Sequence, residues 1–155
     1  MCKFCWASTA AIGLVFFAFV VRFMVVGATE LSADGRTAII VSSVEREQIL
    51  GEMRGMLEAV QTIIVANNAG DLNSVAVAAR EVGKENMDPR SAEFATKLPM
   101  SFRKLGMDTH MKFDLLAMDA EQIESTEQVY QQLGVLTGNC VACHRAYRLS
   151  MNEAE

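Results

Sequence analysis

Apolar and polar positions fall into three regimes along the chain. From Ala7 to Gly27 the run ASTAAIGLVFFAFVVRFMVVG is almost wholly apolar, close to the ~20 residues that cross a bilayer as a helix. Arg22 is the one charge inside it, near an end, where a guanidinium reaches the headgroups far more cheaply than from the bilayer centre. The next stretch, TELSADGRTAIIVSS, mixes turn residues with a short β-branched run from Ile39 to Val41. That pattern predicts a tether with one extended stretch, not an independent domain.

Beyond Ser42 the apolar residues recur at three and four. Ser42 and Glu45 have capping-box spacing and open a helix whose apolar stripe is Ile49, Met53, Met56, Val60 and Ile63, flanked by Leu50, Leu57 and Ile64. Gly70 stops it. Asp71 caps a second helix with Leu72, Val75, Ala76, Ala79 and Val82 inward and Gly83 at its end. The segment KENMDPRSAEFATK, with Pro89 in its middle, predicts a connection carrying a helical turn or two around Phe94. A third helix opens at Pro99 and runs through Phe102, Leu105, Phe113, Leu116 and Ala120. Ser125 and Gln128 announce a fourth, with Val129, Leu133, Leu136, Cys140, Cys143 and Tyr147 on one face, although Gly134 and Gly138 weaken its propensity. These elements predict an all-α fold: an antiparallel up-down-up-down four-helix bundle preceded by one transmembrane helix. The expected divisions are residues 1–28 as membrane anchor, 29–42 as tether and 43–155 as the bundle.

Charge orients the anchor. Lys3 precedes it and Glu30 and Asp34 follow it, which leaves the N-terminus in the cytoplasm and exports the rest. A cleaved signal peptide, cut near Val26-Gly27-Ala28, exports the same segment, but the apolar run is longer than a signal core and favours a retained anchor. Residues 29–155 hold 12 Lys and Arg against 19 Asp and Glu, a net charge of −7. That balance argues against nucleic acid and suits a basic partner surface.

The four cysteines form two C-x-x-C pairs. Cys2 and Cys5 lie before the anchor with no adjacent histidine, and are expected to be free thiols at the cytoplasmic face. Cys140 and Cys143 differ because His144 follows at once, giving NCVACHRAYR. Two thiols three positions apart on a helix can both add to the vinyl groups of one porphyrin, while the next residue offers an imidazole to its iron. A structural zinc site would want four nitrogen or sulfur ligands, yet the one other histidine is His110 and the other cysteines lie across the membrane segment. A thioredoxin-like pair would want a strand-helix context. Covalent attachment of one haem c, with His144 as axial ligand, is therefore expected, and no disulfide between the two cysteines.

With these residues in hand, the chain resembles the class II cytochromes c, the family of cytochrome c′ and the low-spin cytochromes c556. The resemblance rests on Cys140, Cys143, His144, Tyr147 and Arg148 near the C-terminus and covers roughly residues 43 to 150 in helix order. It implies a bundle around the haem, with Arg148 beside the axial imidazole or a haem propionate. The membrane segment departs from the family's usual soluble members. The resemblance also implies a distal residue on the first helix. A methionine there gives a six-coordinate, low-spin electron carrier, whereas Leu or Phe leaves the iron open to nitric oxide or carbon monoxide. Counting from Arg46 reaches Leu50, counting back from Gly70 reaches Met56, and Met53 lies between. His110, at the edge of the third helix with Met107 and Phe113, is a less favoured sixth ligand than a histidine making a local hydrogen bond.

The expected function is a monohaem electron carrier, not an enzyme. It would sit in the bacterial inner membrane with its haem domain in the periplasm, exchanging single electrons with a membrane redox complex or another cytochrome. The alternative is a five-coordinate module that binds or senses nitric oxide or carbon monoxide. A peroxidase-like enzyme has little support, because His110 stands alone as a distal acid-base group. The family often dimerises through its first two helices, and the Ala-rich second helix would permit a homodimer.

Overall fold

The computed structural model describes residues 3–87, 90, 92–122 and 125–151, with the side chains of residues 3–5, 23 and 92 left aside. Cys2, Pro89 and the side chain of Cys5 lie outside the described residues. Helix α1 (Lys3–Val21) widens into a π-helical turn over Arg22–Val26. The 21 residues Trp6–Val26 have a mean hydropathy of 2.3 and none of them is buried in the protein, so this is one helix long and apolar enough to span a membrane.

Mostly helical structure follows: α2 (Ser43–Asn68), α3 (Leu72–Glu81), a short α4 (Ala92–Lys97), α5 (Met100–Gln122) and α6 (Thr126–Ala146). Local chemistry starts and stops them. The Glu45 backbone N–H donates to Ser42 Oγ at 3.3 Å while the Ser42 N–H donates to the Glu45 carboxylate at 2.8 Å, the reciprocal box expected of that spacing. Asp71 accepts from the Ser74 N–H at 3.0 Å, and Ser125 accepts from the Gln128 N–H at 3.3 Å. Gly70, at φ +73°, follows the end of α2 in the left-handed region that glycine tolerates. Helices α2, α3 and α5 pack in sequence, α5 continues onto α6, and α2 closes against α6. The shared core holds Ile63, Val75, Phe113, Leu116, Val129 and Leu136, with the small Ala76 and Ala79 letting α3 approach closely.

The stretch from residue 29 to 42 is not a tether. Strands β1 (Thr29–Leu31) and β2 (Thr37–Val41) form a hairpin, and a third strand, β3 (Tyr147–Met151), pairs parallel with β2, with Thr37 opposite Tyr147 and Val41 opposite Met151. Tyr147 therefore leaves the helical face on which its spacing put it. Its backbone is extended at φ −126°, ψ 155°, and the period-2 pair Tyr147 and Leu149 packs on a second core of Ile39, Val41, Ile49, Phe94 and Leu98. This small sheet is an addition to the expected all-helical plan.

The same region joins the apolar N-terminal helix to the rest of the fold. Ala28 N–H donates to Lys97 O at 2.8 Å, Arg103 Nη2 donates to Met24 O at 2.9 Å, and Arg22 Nη1 donates to Gly27 O at 2.5 Å. Gly27 sits at φ +71° with no room for a side chain: a Cβ would lie 2.4 Å from Lys97 O. Lys97 in turn is paired with Glu45 at 2.7 Å.

Candidate haem-binding site

The last turns of α6 carry Cys140, Cys143 and His144, and the chain turns at Ala146 into β3. Cys140 is exposed and Cys143 half-buried. Desolvation raises both thiols; that of Cys143 is pushed up to about 11, with the neighbouring Cys140 adding to the effect. A redox-active C-x-x-C pair needs a stabilised thiolate. The desolvation here acts the other way, against the thiolate.

Three adjoining clefts meet at this helix end. The first, of about 270 Å³, is walled by Met53 and Met56 of α2, His110 of α5, and Cys140, Cys143 and His144. The second, of about 560 Å³, opens between α2 and α6 and is lined by Leu50, Met53, Met56, Phe113, Cys140 and His144. The third, of about 210 Å³, holds Leu50, Met53 and His144 beside Arg36, Arg46 and Arg148. The second alone falls in the roughly 300–1,000 Å³ range of small-molecule and cofactor sites.

Every candidate residue read from the sequence reaches this region, but not equally. Met53 and His144 line all three clefts, Met56 lines two and also packs on the main core, and Leu50 lines two. Tyr147 borders the third cleft, its ring edge-to-face with Phe102 at 5.4 Å and its hydroxyl 2.6 Å from Ser101 Oγ. Arg148 borders the same cleft but turns toward the β1–β2 hairpin, donating to Ser32 Oγ at 3.1 Å and pairing with Asp34 at 3.5 Å. His110 is buried on α5, bonded through Nδ1 to Val82 O of the α3 end at 2.7 Å.

Compared with known proteins, the chain matches no family model, and no curated protein or solved structure resembles it at a significant level.

The residues present fit a haem. The apolar walls of the second cleft suit the face of a porphyrin, both thiols and the His144 imidazole line the first, and Arg36, Arg46 and Arg148, which line the third, suit carboxylates. Arg36 is the site residue that periodicity did not point to. It lies in the hairpin turn, donates through Nε and Nη2 to Asp34 at 2.9 and 2.7 Å, and through Nη1 to the backbone oxygen of His144 at 3.3 Å. The Asp34-Gly35 pair between two short apolar runs was the available signal for that turn. A second unforeseen feature is the Glu52–Arg90 ion pair, also in the first cleft, with the Arg90 guanidinium 5.7 Å from the centre of the Phe94 ring.

Proposed function

We propose that this chain is a membrane-anchored c-type cytochrome of class II type, in which α2, α3, α5 and α6 form the family's antiparallel four-helix bundle around one covalently held haem. One observation carries the reading: Cys140, Cys143 and His144 line one cleft together with Met53, and Cys140, His144 and Met53 also line the larger cleft beside it. A bound haem supplies one-electron redox chemistry. Cys140 and Cys143 would hold the porphyrin through thioethers, His144 would supply a nitrogen to its iron, and Met53, which lines the same cleft, would be the sulfur donor best supported by position. Leu50 and Phe113 would keep water from the ring, and Arg46, with Arg36 and Arg148 of the third cleft, would meet the acidic edge of the group.

The anchor and its docked junction support a periplasmic domain on the bacterial inner membrane. Confinement beside the bilayer raises its effective concentration for a membrane redox partner. Maturation in a host with a c-type haem attachment system tests the reading. The expected product is coloured after denaturation, carries the mass of one haem beyond its polypeptide, and when reduced has a sharp low-spin spectrum that carbon monoxide leaves unchanged. A carbon monoxide-sensitive spectrum assigns the chain instead to gas binding, with Leu50 as the distal residue. A colourless product of polypeptide mass sinks both.

A further inference from the structure

His110 lines the first cleft and has no part in electron transfer through Met53 and His144. Its ring is 5% exposed, and its hydrogen-bond partner is a backbone carbonyl, Val82 O, at 2.7 Å from Nδ1. A carbonyl only accepts, so Nδ1 carries the proton and Nε2 keeps its lone pair in the neutral ring. An imidazole whose Nδ1–H is tied to a carbonyl is in the tautomer and orientation typical of a metal ligand. No other hydrogen bond or ion pair engages this ring among the described residues, while the ring lines the cleft that also holds Met53, Met56, Cys140, Cys143 and His144. Iron is a suitable partner for an imidazole held in that way.

We propose that His110 is a second axial donor to the haem iron, a nitrogen on α5 that competes with the Met53 sulfur on α2 for the sixth position. The proposal rests on the haem reading above and adds to it. Because thioether ligation raises the potential, it favours the ferrous state, and an imidazole by comparison favours the ferric state. In such an exchange the Nε2 lone pair would replace the sulfur lone pair, and in the neutral ring with its proton on Nδ1 there is none on Nε2 to lose. The two donors stand on different helices, so exchange needs no change in the grip of Cys140, Cys143 or His144.

The test uses the matured, full-length protein in detergent, with far-UV circular dichroism to verify helicity. In M53L/M56L, which keeps the volume and apolar character of both side chains, the ferric haem is expected to remain six-coordinate and low-spin, with the spectrum of two nitrogen axial ligands. Adding H110A is expected to convert it to a high-spin form that binds carbon monoxide when reduced, and free imidazole is expected to restore the low-spin spectrum. A haem-loaded M53L/M56L protein that is already high-spin and spectrally identical to the triple variant overturns the proposal while leaving the cytochrome reading intact. If M53L/M56L does not fold, M53L alone decides by the same spectra. Absence of haem from the unaltered protein instead refutes the underlying reading.

Discussion

The guanidinium of Arg36 donates to the backbone oxygen of His144 at 3.3 Å, joining residues 108 positions apart in the chain. The hairpin next to the apolar N-terminal helix thus holds the end of the helix that presents the proposed iron ligand. Asp34 orients Arg36 through two bonds and also meets Arg148. Replacing Arg36 with Ala is expected to lower the melting temperature of the matured protein by a few degrees and to shift its reduction potential, whereas K104A, exposed on α5 and outside the three clefts, is expected to change neither. Thermal melts and redox titrations of the two variants check this.

The same link has a defined acid limit. The hydrogen bonds from Arg36, side chain first and then backbone, hold the Asp34 carboxyl at about 2, below its ordinary 3.8. A group whose folded value is depressed contributes stability that is fully present above its unfolded value and lost as pH falls through the folded one. The contribution of Asp34 is therefore expected to persist above about pH 4 and to fade toward pH 2. An acid titration of melting temperature compared with D34N reads it: the difference between the two proteins should shrink across that window and be constant above it.

The anchor junction predicts a second effect. At Gly27 a side chain meets Lys97 O at 2.4 Å and Pro99 N at 2.9 Å, both backbone atoms, at a positive φ of +71°. Backbone cannot yield as a flexible side chain would. G27A is expected to cost about 1–3 kcal/mol in chemical denaturation and to expose the segment around Ala28 to limited proteolysis. G35A also stands at a positive φ, but with nothing within 4 Å of the added Cβ. It should leave that segment protected, and equal cleavage in the two variants would mean that the junction is not packed.

Much of this architecture was readable because it is local. Ser42 with Glu45, Asp71 and Ser125 mark helix starts through atoms three residues away, and Ile63, Phe113, Leu116 and Leu136 are buried as their three-four spacing requires. The sheet was not readable in the same way. Its strands are three to five residues long, and the partner of Ile39 is Leu149, reached after all the packed helices. Such a pairing leaves no periodic trace, and Tyr147 continued the helical spacing of Cys140 and Cys143 until the pull of the second core on Tyr147 and Leu149 is considered. At the site, Leu50, Met53 and Met56 are three neighbours on one helix face, and spacing could not rank them. Met53 lines all three clefts, Leu50 and Met56 two each, which is the ground for proposing Met53. The Val82 bond that orients His110 joins two helices and has no counterpart in local sequence.

A separate prediction concerns how the proposed haem is held. Cys140 and Cys143 are one helical turn apart on α6, so each is expected to form its own thioether. C140A or C143A alone should leave haem attached through the remaining sulfur after denaturation, whereas C140A/C143A should release it into organic solvent. H144A should retain the covalent mass while changing the spin state. Mass spectrometry of the denatured variants, beside spectra of the folded ones, separates the roles of the sulfurs from that of the imidazole.

The Glu52–Arg90 pair carries the final prediction. Both side chains are largely buried, at 13% and 19% exposure, and the cation also stacks on Phe94, a member of the second core. Breaking a buried pair from one side leaves the other charge without its counter-ion, which costs about 3–5 kcal/mol when fully buried. With some solvent access the lower end applies, so E52A is expected to destabilise the domain by about 3 kcal/mol. Glu52, Arg90 and Met53 line the same cleft, so the damage should also reach the proposed haem environment. E52A/R90M, which removes both charges and keeps an apolar chain over Phe94, is expected to recover most of the loss. Urea denaturation of the two variants decides: if the double variant is as unstable as E52A, packing and not charge accounts for the effect.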